Sequence, residues 1–195
     1  METIKLTGQP RISLGKKDSK ILRKKELVPC VLYGNKMENK NFILGEKELK
    51  ELIYTPYSHI VEISIDDEIH TCILKDMQFH PVSDKILHID FMNVDKSKPV
   101  AIDIPIKITG HSEGVKQGGK LQVLNRKIKV SALVNDLPDE LPVDITHLQL
   151  GKSICVGDLS FDKLDVLTPK SNIICSVKVT RAAMGAAAAA EEQKK

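Results

Sequence analysis

Tryptophan is absent from this 195-residue sequence, and aromatic residues make up only 4% of it. Filling the core therefore falls to branched aliphatic side chains, which favour strands. Cysteine is sparse: Cys30, Cys72, Cys155 and Cys175 stand far apart, each among apolar neighbours. With no Cys-x-x-Cys pair a zinc site has no sequence support, and buried reduced thiols are the expected state. The six histidines are not grouped as ligands either. No apolar run approaches the ~20 residues that span a bilayer as a helix. The start METIKLTGQ lacks a signal-peptide apolar core, so the cytosol is the expected compartment.

An assembled catalytic arrangement is also missing. His88 and Asp90 could form an acid–base pair, and Ser19 or Cys72 could be offered as nucleophiles. No spacing joins them into nucleophile, base and orienting group. The glycine-rich stretch HSEGVKQGG resembles a phosphate cradle in composition alone. It lacks the Gly-Lys-Ser/Thr ending and follows a strand pattern without opening a helix. The expectation is a protein that is not an enzyme, with no cofactor and no small-molecule substrate.

What the chain does have is locally sorted charge. Between Arg11 and Lys25 stand Arg11, Lys16, Lys17, Lys20, Arg23, Lys24 and Lys25, opposed only by Asp18. The apolar run LVPCVLYG follows and ends on Tyr33-Gly34. Residues 1–95 nevertheless carry a formal charge of −1, and residues 96–182 carry +4. The positive charge of the first half is thus concentrated in its opening stretch, a distribution suited to gripping a polyanion; the competing reading is a solvated lysine-rich loop.

Taken in order, residues 2–12 read as a strand and SKILRKKE as a short helix that Asp18 or Ser19 can cap. VPCVLY reads as a buried strand, NFIL as its return, and EKELKELI as a second helix with Leu49, Leu52 and Ile53 on one face. Val61, Ile63 and Ile65 alternate into a turn at Asp66-Asp67, and Ile69 to Leu74 run back as a hairpin. KILHIDFMNVD closes the first unit, and on it His88 and Asp90, two residues apart, share a face. DKSKP (95–99) is the expected boundary between a domain at 1–95 and another at 96–182. The second shows alternation at Ile102, Ile104, Ile106 and Ile108 and again from Ile128 to Val134, which predicts an antiparallel β domain with little helix. The alanine-rich residues 183–195 read as a low-complexity tail.

For RNA, Arg11, Lys16, Lys20 and Arg23 are candidates to neutralise phosphates. Tyr33 either stacks on a base or ribose, hydrogen-bonds through its hydroxyl, or fills the core. Asp90 accepts from a base amino group or a ribose 2′-hydroxyl, orients His88 or an arginine, or is simply an exposed strand carboxylate.

These residues carry a resemblance. GKKDSKILRKKELVPCVLYG is similar to the opening signature of bacterial large-subunit ribosomal protein family twenty-five, which binds 5S ribosomal RNA. The pattern falls on Gly15, Lys16, Ser19, Leu22, Arg23, Pro29, Tyr33 and Gly34. A second block falls on Gln78, His80, Pro81, His88, Asp90 and Phe91. GVKQGGKL and LPDELPVDITHLQLGKSI resemble the extra β domain of the long form, called CTC or general stress protein. Glu26, Cys30, Lys20 and Ile21 depart from the usual residues, and the acidic tail of some long forms is reduced to Glu191 and Glu192.

The resemblance implies a mainly β fold: a six-stranded antiparallel β-barrel with short helices, similar to a tRNA-synthetase anticodon-binding domain, followed by an accessory β domain. It implies 5S rRNA, the large ribosomal subunit and neighbouring ribosomal proteins as partners, with no membrane. The implied target is loop E, whose widened minor groove is held by magnesium ions belonging to the RNA. Its RNA-contacting residues carry over onto Arg11, Arg23, Tyr33, His88 and Asp90, with Lys16, Ser19, Lys20 and Gln78 behind them. The rival reading is an RNA-binding or stress-response module acting outside the ribosome.

Overall fold

The computed structural model describes residues 3–180 apart from residues 36, 56, 67, 96 and 162. Asp67 of the expected turn and the tail 183–195 lie outside the described residues. The chain forms two compact units. One comprises the described residues up to Ile102 together with Leu133–Asp139; the other comprises Asp103–Ala132 and the described residues from Glu140 onward.

In the first unit, period-two alternation produces six strands: β1 (Thr3–Pro10), β2 (Leu27–Tyr33), β3 (Lys40–Gly45), β4 (Ile60–Ile65), β5 (Glu68–Phe79) and β6 (Ile86–Asn93). They close into a barrel in the order β1-β3-β2-β6-β5-β4. Cys30 and Leu32, Val61, Ile63 and Ile65, and Ile89 and Phe91 point inward and are buried. Each such aliphatic or phenyl side chain removed from water contributes about 1.5–3 kcal/mol. Two phenylalanines do the bulk filling: the rings of Phe42 and Phe91 lie 5.9 Å apart at 38°. Strand β1 crosses this pair at Gly8, where a Cβ would come within 2.7 Å of Phe42 Cδ2.

The barrel is mainly β and six-stranded as expected, but it is not wholly antiparallel. β1 runs parallel to β4, from Thr3 opposite Ile60 to Gly8 opposite Ile65. β2 runs parallel to β6, with Cys30 opposite Ile89 and Tyr33 opposite Met92. Hairpin signals are local and mark only neighbours in sequence, such as β4 and β5. The parallel pairs that close the barrel join distant segments, for which no local signal exists.

Helix α1 (Lys16–Lys24) begins earlier than its sequence pattern implied, with Gly15 at the N-cap and no side-chain cap. Asp18 and Ser19 do not cap it. The Ser19 hydroxyl donates to the Gly15 carbonyl at 2.8 Å, the backward bond available to a serine inside a helix. Helix α2 (Glu46–Ile53) buries Leu49 and Leu52.

Strand β7 (Val100–Thr109), which enters the second unit at Asp103, is an inner strand of the sheet β10-β7-β9-β12, formed with β9 (Lys127–Ala132), β10 (Leu141–Asp144) and β12 (Asp165–Val166). The expected all-antiparallel arrangement is corrected here too, since β10 pairs with β7 in parallel. The short helix α3 (Glu113–Lys116) precedes β8 (Lys120–Val123), which with β11 (Ser153–Cys155) and β13 (Ile173–Lys178) makes the sheet β11-β13-β8. The glycine-rich stretch serves packing: a Cβ on Gly114 would lie 2.6 Å from the backbone of Gln149 and Leu150.

Candidate functional site

The outer surface of β2, β6 and β5 is set by pleat and register. On β2, Cys30 and Leu32 face the core, so Val31 and Tyr33 face out. On β6, Ile89 and Phe91 face in, so His88 and Asp90 face out. The core-filling reading of Tyr33 therefore does not hold: its ring is half-buried on the outer face. His88 Nδ1 and Asp90 Oδ1 are 2.7 Å apart, so the two side chains meet as a close pair on this face.

Two β-bulges bracket that pair. Between β5 and β6, Leu74 opposes Phe91 but Asp76 opposes Asp90, so Lys75 is extra on β5. Gln78 opposes His88 but Phe79 opposes Ile86, so Leu87 is extra on β6. Bulges re-aim side chains and often flank functional sites. Here the first sets Asp76 directly opposite Asp90, and like charges opposite one another destabilise a sheet. The second frees the Leu87 carbonyl, which accepts from Arg23 Nε at 3.1 Å and Nη2 at 3.0 Å. Burial, then Asp90, then Asp76 push the Tyr33 phenol above its ordinary value of 10.0, so its hydroxyl stays a hydrogen-bond donor through the neutral range.

The basic stretch separates into a scaffold and a display. Arg11 is held inward: its Nε donates to the Ser13 carbonyl at 2.8 Å, and its Nη2 to Asp18 Oδ2 at 3.3 Å and Ser19 Oγ at 3.0 Å. Its side chain is only 11% exposed. Asp18, the sole acid of the stretch, is thereby neutralised from within. Lys16, Lys17, Lys20, Lys24 and Lys25 remain exposed on α1 and its end. No α1 residue is fully buried, and under the helix lies a cavity of about 350 Å³ lined in part by Arg23, Lys24, Leu27, Lys85 and Leu87. The Arg23 fork spans this gap and fastens α1 to β6.

The sequence-predicted residues thus divide. Tyr33, Gln78, His88 and Asp90 share the outer face, and Lys16 and Lys20 point to solvent. Arg11, Ser19 and Arg23 are engaged in holding the loop and helix. Asp76 was missed: it stands two residues before Gln78, and only the bulge turns it toward Asp90. Among the described residues no group of three or more His, Cys, Asp or Glu is placed to hold a metal ion. No described helix is long and apolar enough to cross a membrane.

The family model described as Ribosomal L25p family matches residues 6–91, which contain Tyr33, Gln78, His88 and Asp90. A protein of Porphyromonas gingivalis named large ribosomal subunit protein bL25 is 48% identical over 96% of this chain and 98% of its own length. This chain belongs to the bL25 family. The bL25 protein of Phocaeicola vulgatus is 46% identical over 97% of this chain and 99% of its own length. That of Bacteroides thetaiotaomicron is 49% identical over 88% and 87%. The second part, residues 99–181, matches the ribosomal protein TL5 C-terminal domain, as in the long bL25 form that the glycine-rich stretch resembled. As a bL25 protein the chain is a component of the large ribosomal subunit, and its relatives are structural ribosomal proteins, not enzymes.

Proposed function

We propose that this chain binds 5S ribosomal RNA at the irregular loop E helix, using residues 1–95, with residues 96–182 as an accessory domain of the ribosome-bound protein in the cytoplasm. The observation that carries this reading is the His88–Asp90 pair, 2.7 Å apart on an outer face that also bears Tyr33 and Gln78. A carboxylate on a polyanion-binding surface repels phosphate. It is useful where it accepts a hydrogen bond from a base amino group or a 2′-hydroxyl, groups that a widened minor groove exposes.

The roles divide accordingly. Lys16 and Lys20, with Lys17, Lys24 and Lys25, neutralise phosphates, release counterions and set the register on the helix. Arg11, Ser19 and Arg23 hold that lysine array rigid. Asp90 and Gln78 read groove edges, His88 orients Asp90, and the protonated Tyr33 hydroxyl donates. The magnesium ions that keep the groove open belong to the RNA.

Filter-binding titrations of Asp90→Ala against 5S RNA and against a regular RNA duplex test this. The expected result is weaker binding to intact loop E, with unchanged binding to the duplex. Equal losses on both RNAs would sink the groove-reading role. Cosedimentation with the large subunit in a sucrose gradient separates this function from an RNA-binding or stress role outside the ribosome.

A further inference from the structure

The second unit gathers cations that the barrel site does not use. Three segments meet at one end of the sheet β11-β13-β8. Strand β8 starts there at Lys120, β13 ends there at Lys178, and Lys152 immediately precedes β11. The glycine-rich turn closes the cluster. The Gly119 amide donates to the Gly114 carbonyl at 2.9 Å, the Gly151 amide to the Val177 carbonyl at 2.9 Å, and the Thr180 hydroxyl to the Gly118 carbonyl at 2.6 Å. These close backbone contacts bring Lys116, Lys120, Lys152 and Lys178 into one neighbourhood, all four exposed. Residues 110–123, 147–155 and 173–180 hold a single acid, Glu113.

The arrangement works against the fold. Lys120 and Lys178 are direct cross-strand partners, and their side chains share the outer face. Like charges opposite one another destabilise a sheet. Among the described residues, none of the four lysines has an ion-pair partner, whereas Lys107 of the same unit is paired with Glu140. The next row on that face is polar, with Gln122 opposite Ser176 and Ser176 opposite Ser153. Lysine, serine and glutamine side chains are donors typical of contacts to phosphate and sugar.

We propose that this lysine-bearing end of the sheet is a second RNA-backbone docking surface, gripping phosphates of a ribosomal RNA helix without reading sequence. The argument requires only membership of the large subunit, not the loop E reading. An acidic protein partner is the competing occupant.

The test uses the full chain with Lys116, Lys120, Lys152 and Lys178 all changed to Gln, and a parallel version with all four changed to Arg. The probe is a regular A-form RNA duplex, with polyglutamate as a second probe. The Gln variant is expected to melt at or above the wild-type temperature. It should bind the duplex about tenfold or more weakly, with a salt dependence shallower by about three in log–log slope. The Arg variant should bind as the wild type does. An unchanged duplex affinity and slope in the Gln variant overturns the proposal, as does a loss of binding confined to polyglutamate. Asp90→Ala run alongside keeps the two readings distinct, since it addresses the barrel alone.

Discussion

Arg23 reaches 64 positions along the chain to place two N–H groups on the single carbonyl oxygen of Leu87. That carbonyl is available because Leu87 is the bulged residue of β6. The basic helix is thus tied by one guanidinium to the strand that presents His88 and Asp90, which on the proposed function sets the spacing between phosphate grip and groove contact.

Arg23→Ala is expected to cost about 1–3 kcal/mol, because a part-buried carbonyl loses both its donors. Arg23→Lys keeps the charge but not the fork, so it should lose most of the same stability. Urea denaturation of both variants checks this. In RNA titrations the Lys variant should keep the wild-type salt slope, whereas Lys20→Ala should flatten it by about one.

Burial and the two nearby carboxylates keep the Tyr33 phenol protonated past its ordinary 10.0. An ultraviolet titration should therefore show one of the three tyrosines ionising late. Asp90→Asn should move that transition to lower pH, and Asp76→Asn should do so by less. An unfolded tyrosine ionises near its ordinary value, so the native state loses this contribution as pH rises beyond about 10.

The thiols offer a test of barrel closure. Burial pushes Cys72 from 9.0 up to about 12. Burial, then Asp90, also raises Cys30, and burial raises Cys175. A thiol-specific reagent at mildly alkaline pH should label the half-buried Cys155 first and leave the other three unmodified until denaturant is added. The unfolded chain releases these protons more readily. Stability is therefore intact below pH 9.0 and declines above it.

Gly8→Ala places a methyl group where Phe42 Cδ2 lies 2.7 Å away. The ring is fully buried against Phe91 and has nowhere to retreat. A loss of about 1–3 kcal/mol is expected from overpacking, read as a lowered melting temperature of the barrel.

How much of this was legible beforehand follows from range along the chain. Inward alternation at Val61, Ile63 and Ile65 and the shared face of His88 and Asp90 are period-two facts, readable from a few residues. The bulges at Lys75 and Leu87 are properties of cross-strand register, so the pairing of Asp76 with Asp90 carried no local sign. Residue type says nothing of internal engagement. Arg11 and Arg23 are basic candidates for phosphate, and the fold also anchors them internally, Arg11 on Ser13, Asp18 and Ser19 and Arg23 on Leu87. Among the described residues Lys16 and Lys20 show no such internal anchors and lie exposed.

The parallel pairing of β2 with β6 has a consequence for the order of events during synthesis. The ribosome delivers the lysine helix first and the strand bearing His88 and Asp90 much later. Until that strand docks beside β2, the nascent chain holds the lysine helix without the pair that the proposed function uses to discriminate. Parallel closure between distant segments has high contact order and is among the slower steps of folding. On the proposed loop E reading, groove recognition is therefore acquired only when the barrel shuts.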